Sequence, residues 1–179
     1  VSFSNDGSTF GPSQSVTLSA ASGLNTYAGE DKTFSGLGIG YRYIKFDVST
    51  NLGSSFATGL AEVRFNTTTA ELTPTSVSVN QTANGGARFG IENVTDGDGM
   101  GGFGNEQSHV YSGNTSPTSL WRQNGSADGN SVSNSVITFD FGSDRDIGAV
   151  KIWNYHEEFS GTYYNDRGLK TMDLYQSDD

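Results

Sequence analysis

Apolar and polar residues alternate in short runs along most of this chain. In Ser135–Phe141 (SVITFDF), Ile137, Phe139 and Phe141 fall on one face, with Thr138 and Asp140 on the other. That two-residue period is the signature of a half-buried strand. Tyr41–Val48 (YRYIKFDV) places Ile44, Phe46 and Val48 inward and Lys45 and Asp47 outward. Lys170–Gln176 (KTMDLYQ) sets Met172 and Leu174 against Thr171, Asp173 and Tyr175, and Ala61–Phe65 (AEVRF) sets Ala61, Val63 and Phe65 against Glu62 and Arg64. Val150–Trp153 and Ser15–Leu18 are two further candidates. No stretch carries the i, i+3, i+4, i+7 apolar stripe of an amphipathic helix. Turn signals separate the runs: Asn5-Asp6-Gly7, Asn84-Gly85-Gly86, Asp96-Gly97-Asp98-Gly99 and Asn124-Gly125. Many short strands, glycine-rich turns and no helical spacers predict an all-β fold, an antiparallel sandwich or jelly roll.

Composition narrows the picture in three ways. Hydrophobic residues are 33% of the 179 and glycines number 24, yet the β-branched and aromatic anchors of the strand runs are those that disordered chains lack. Twenty acidic residues against ten basic ones leave a net charge of −10. Such a surface repels phosphate backbones, disfavours nucleic-acid partners and attracts divalent cations. No apolar run reaches the ~20 residues of a membrane helix, so membrane insertion is not expected. Cysteine is absent, which removes disulfides, thiolate metal sites and cysteine nucleophiles together.

Two stretches stand apart from the strands. Asn66–Pro74 (NTTTAELTP) reads as an extended linker, and Asp96–Asn105 (DGDGMGGFGN) is too glycine-rich for a regular element. In the second, Asp96 and Asp98 stand two apart, so both carboxylates or their carbonyls can face one hard cation. The plain alternative is an Asp-Gly turn. The EF-hand pattern is not met, because no Glu follows at the twelfth position.

The stretch Asn93–Asp179 resembles the discoidin-type domains, also called coagulation-factor C domains or galactose-binding-like modules. The carriers, in the family's order, are Thr95-Asp96-Gly97-Asp98, Ser119-Leu120-Trp121, Ile137–Gly142 (ITFDFG), Val150–Tyr155 (VKIWNY), Arg167-Gly168 and Ser177-Asp178-Asp179. The head of the chain resembles the family's C-terminal half, through Val1–Phe10, Tyr41–Val48 and Gly59–Phe65 (GLAEVRF). The order is therefore permuted. Residues 1–65 are expected to form the C-terminal half of a discoidin-like jelly roll and 66–75 a linker. Residues 76–179 then form the N-terminal half of the same or the neighbouring sandwich. Residue 179 stops inside a strand–turn–strand motif that residue 1 reads as continuing. One period of a tandem array, strand exchange between subunits, a closed permuted domain and a proteolytic fragment all produce this order.

The resemblance implies a structural Ca²⁺ held by Asp96, Asp98, Ser119 and Glu62, with Asn93 or Thr95 adding a carbonyl or side chain. It also implies a glycan site on the loops at one end of the sandwich. The loop Asn154–Arg167 (NYHEEFSGTYYNDR) carries suitable chemistry in His156, Glu157, Tyr163, Tyr164, Asn165 and Arg167, with aromatic faces for sugar rings and polar groups for hydroxyls. His156, Tyr163 and Tyr164 lead that set, because the family's Trp-Asn and Arg-Gly elements, here Trp153, Asn154 and Arg167, largely buttress the fold.

Catalytic patterns are missing. The two histidines, His109 and His156, lie in neither a Gly-x-Ser-x-Gly nor a His-Glu-x-x-His context. Adjacent carboxylates such as Glu157-Glu158 point apart, Asp144-Arg145-Asp146 reads as a self-paired turn, and no helix follows a glycine loop to bind phosphate. Five sequons, at Asn66, Asn80, Asn93, Asn114 and Asn124, are consistent with a secreted glycoprotein; a glycan on Asn93 would exclude the cation site. The expectation is a non-catalytic, calcium-stabilised extracellular or cell-surface unit of a fibre or adhesive polymer, with copies of itself as partners. The alternative is a carbohydrate-binding module for galactose-type or other polysaccharide sugars.

Overall fold

The computed structural model describes residues 10–11, 13–22, 27–33, 40–67, 69–81, 89–97, 100–101, 108–109, 120–124, 134–159 and 162–177. Strands β1 (Gln14–Thr17), β2 (Glu30–Lys32), β3 (Tyr41–Asn51) and β4 (Ala57–Asn66) are followed by the short β5 (Glu71–Leu72) and β6 (Ser76–Val79). A 3-10 turn at Ile91–Val94 leads to the two-residue strands β7 (Met100–Gly101) and β8 (Ser108–His109). Next come β9 (Trp121–Asn124), β10 (Val136–Arg145), β11 (Ala149–Asn154), the small hairpin β12 (Glu158–Phe159) and β13 (Thr162–Tyr163), a 3-10 turn at Asn165–Arg167, and β14 (Leu169–Ser177). Among the described residues no helix is long and apolar enough to cross a membrane.

Two antiparallel sheets face each other. One has the order β1-β14-β3-β10-β6, and the other β2-β11-β4-β5, with β9 also pairing with the start of β4. Strand β3 lies between β14 and β10, and β4 between β11 and β9. Residues before and after the 66–75 stretch thus pair within each sheet. That stretch is itself partly a strand. The Thr67 side-chain oxygen accepts from the Thr69 and Ala70 N–H groups at 3.1 and 2.8 Å. The resulting turn brings Leu72 opposite Phe65, where it packs on the core. The low apolar content that suggests a linker hides this hairpin, because one hydroxyl and one leucine suffice to make it.

The core lies between the sheets and follows the expected alternation. Ile44, Phe46 and Val48 from β3, Ile137, Phe139 and Phe141 from β10, and Met172 and Leu174 from β14 meet Val63, Phe65, Val150 and Ile152 from the opposite sheet. Phe65 sits edge-on to Phe139 and Phe141, with centroids 4.9 and 5.1 Å apart, and Phe46 meets Phe139 at 5.1 Å. Each such pair adds about 0.5–1.5 kcal/mol to the burial itself.

A second apolar layer covers the outer face of the β2-β11-β4 sheet: Ala21, Tyr27, Ala61, Phe89, Leu120, Trp153 and Tyr155. A bulge positions it. Trp153 pairs with Glu62 and Asn154 with Leu60, so Ala61 is the extra residue on β4. Val63 and Leu60 keep their inward direction, while Glu62 is placed on the outer face beside Trp153. Asn154 locks the neighbourhood. Its Nδ2 donates to the carbonyls of Ser19 (2.9 Å) and Leu169 (2.7 Å), and its Oδ1 accepts from the N–H groups of Tyr155 (2.9 Å) and Leu169 (2.8 Å).

Candidate functional site

The outer face of this sheet carries two buried carboxylates in opposite electrical surroundings. The first is Glu62, with 0% exposure. Strand alternation turns it away from the main core, and the 89–97 segment then covers it, so burial comes from a distant piece of chain. Asn93 anchors that segment by donating from Nδ2 to the Leu120 carbonyl at 3.0 Å. The chain turns at Gly97 with φ +78°, and the Arg64 Nη2 lies 2.8 Å from where a β-carbon would stand. Glycine takes this left-handed conformation without strain.

Arg64 donates from Nε to Glu62 Oε1 at 2.6 Å and from Nη1 to Glu71. Glu62 Oε2 is buried with no hydrogen-bond partner. Burial pushes Glu62 up to about 8; Arg64 reverses only part of that rise, the charge of Asp96 adds to it, and the nearby Gly97 N–H eases it slightly. Glu62 and Glu71 therefore share one guanidinium, and Asp96 stands close enough to Glu62 for its charge to be felt there.

The second carboxylate is Glu157, also buried. Arg122 Nη1 donates to its Oε2 at 3.1 Å, Arg167 Nη1 donates to the same oxygen, and the Tyr155 hydroxyl donates to it at 2.7 Å. Burial, with Glu157 alongside, raises the Tyr155 phenol far above its ordinary value, so it remains a neutral donor. The guanidiniums rest on aromatic rings, Arg122 over Phe89 at 3.9 Å and Arg167 over Tyr164 at 4.0 Å. Gly59 makes the convergence possible. It pairs with Arg122 on one side and bridges to Gly168 on the other, and the Tyr155 ring occupies the space a side chain would need.

Of the residues expected to ligate a cation, Glu62 and Asp96 come together, Asn93 supports the segment that covers them, and Asp98 and Ser119 lie outside the described residues. Among the described residues no three His, Asp or Glu side chains converge. Of the residues expected to meet a glycan, His156 is buried edge-on to Tyr27 at 5.9 Å, Glu157 is enclosed by its donors, and Tyr164 lies under Arg167. Tyr163 is 54% exposed. Phe56, 66% exposed, tips the neighbouring β3–β4 turn, which joins the Asn165–Arg167 turn by a bond from Ser54 N–H to the Asp166 carbonyl (3.1 Å).

Sequence reading passes over Arg64, Arg122 and Tyr155. Arg64 has a local signal, since it stands two residues beyond Glu62 on the same strand face. Arg122 has none, because its partner Glu157 arrives from the distant connection between β11 and β12.

The architecture defines an antiparallel all-β sandwich. Comparison with protein-family models, with curated proteins and with solved structures finds no match to this chain.

Proposed function

We propose that this chain is a non-catalytic, extracellular, discoidin-like jelly-roll unit of a surface fibre or adhesive polymer, stabilised by Ca²⁺ at Glu62 and Asp96. The observation that carries the cation reading is the buried Glu62 Oε2, without a partner and beside a second carboxylate. A buried anion in that position is costly unless protonated or met by a cation. Ca²⁺ takes six to eight oxygen ligands, including carboxylates, carbonyls and water. By the discoidin resemblance, Asp98 and Ser119 complete the set. The ion would bridge β4 to the 89–97 segment and stiffen each unit, while copies associate through the ends of the five-stranded sheet, β1 and β6.

Thermal unfolding with millimolar calcium and with excess chelator tests the reading. Calcium is expected to raise the melting temperature by several degrees, and Asp96→Ala to abolish the rise. A melting temperature indifferent to calcium refutes the cation site. Sedimentation at rising concentration tests assembly, for which a strictly monomeric chain is the refuting result.

A second reading, recognition of a sugar, is favoured by the exposed Tyr163 ring on the hairpin that follows Glu157. Aromatic faces of this kind serve as platforms in small-ligand sites.

A further inference from the structure

The two carboxylate clusters are electrical opposites. At Glu157, two guanidiniums share one carboxylate, leaving one positive charge in excess on a chain whose net charge is −10. Each arginine directs a single nitrogen, Nη1, to that carboxylate. Arg122 Nε is buried without a partner, and neither arginine's Nη2 takes an acceptor among the described residues.

Both side chains are held in place. Each lies over an aromatic ring and is tied at one nitrogen, so little rotamer entropy remains to be lost when the rest of the fork is engaged. Their side chains retain 16% and 17% exposure, enough to reach a ligand at the surface. A guanidinium fork matches a planar carboxylate in size and geometry, and such charge-assisted pairs are about twice as strong as neutral hydrogen bonds. Tyr163, the residue before the ring that Arg167 covers, adds an exposed aromatic surface on the adjoining hairpin.

We propose that Arg122 and Arg167, held against Glu157, form a site for a carboxylate borne on a sugar ring. This deepens the sugar-binding reading and is independent of the calcium and fibre reading. The carboxylate takes up N–H groups that no described residue accepts from and neutralises the excess charge.

Titration calorimetry of the full chain at constant ionic strength and calcium tests it, with D-galacturonate and D-galactose as probes. Saturable binding of galacturonate is expected, at least tenfold tighter than galactose, with displacement by acetate but not by chloride. Arg122→Gln and Arg167→Gln should each weaken it at least tenfold. Each leaves Glu157 one guanidinium and the Tyr155 hydroxyl, so both variants are expected to fold, as circular dichroism will show. Should either fail to fold, Arg167→Lys retains the charge and loses the fork, and a tenfold weakening is again expected. Equal binding of galactose and galacturonate, or equal displacement by chloride, overturns the carboxylate assignment while leaving sugar binding in place. Binding of neither sugar overturns both.

Discussion

Replacing Glu62 by glutamine removes a buried charge while preserving shape. In chelator, wild-type Glu62 is pushed from an ordinary 4.5 up to about 8, so folding favours the protonated form. The stability this group contributes is full below pH 4.5, declines as pH rises, and is lost above about 8. The interval corresponds to about 5 kcal/mol at 1.36 kcal/mol per pH unit. For a chain of this size that is roughly 10–20 °C of melting temperature. The Glu62→Gln variant has no proton to lose. Its metal-free melting temperature should therefore lack this component of the fall between pH 5 and pH 8.5, and the difference between the two proteins isolates Glu62 from every other titrating group. Under the proposed calcium site, calcium should reverse the wild-type trend, because binding would require the ionised carboxylate and strengthen as pH rises; the variant should gain little from calcium at any pH. Paired calorimetric melts at pH 5, 6.5 and 8.5, in chelator and in calcium, provide the test. Parallel pH profiles for the two proteins in chelator would refute the argument, since Glu62 would then titrate alike folded and unfolded.

Two further substitutions probe the support beneath the Glu157 cluster. Gly59→Ala would push a methyl group into the Tyr155 ring and to 2.7 Å from the Trp121 carbonyl oxygen; a loss of about 3 kcal/mol or failure to fold is expected in denaturant titration, and near-wild-type stability would show that Tyr155 can move aside. Asn154→Ala removes four hydrogen bonds, three of which join β11 to the Ser19 and Leu169 backbone, with an expected cost of about 3 kcal/mol or more; a loss under about 1 kcal/mol would mean that water replaces the amide.

The alternation of Ile44, Phe46 and Val48, and of Ile137, Phe139 and Phe141, makes the central strands legible in the sequence. Side chains of a strand point to opposite faces in turn, and only one arrangement buries all six. The same logic misleads at Glu62. Alternation places it opposite Val63 and Phe65, which for a lone sheet means solvent. Whether that face meets water depends on the 89–97 segment, which sequence spacing does not locate. The 66–75 stretch shows a related limit, since a single Thr67 hydroxyl and Leu72 turn a polar run into a paired strand.

Local pattern by itself therefore determined the β class, the inward-facing residues of the long strands and the chemical character of the two loops richest in polar groups. Tertiary structure decided the electrostatics. The bulge at Ala61, the cover over Glu62, and the meeting of Arg122, Glu157 and Arg167 around Gly59 all join residues far apart in the chain. A carboxylate's charge state depends on what surrounds it in space. Glu62 and Glu157 are the same type of residue in the sequence, but the fold gives Glu62 one guanidinium that it shares with Glu71, and gives Glu157 two.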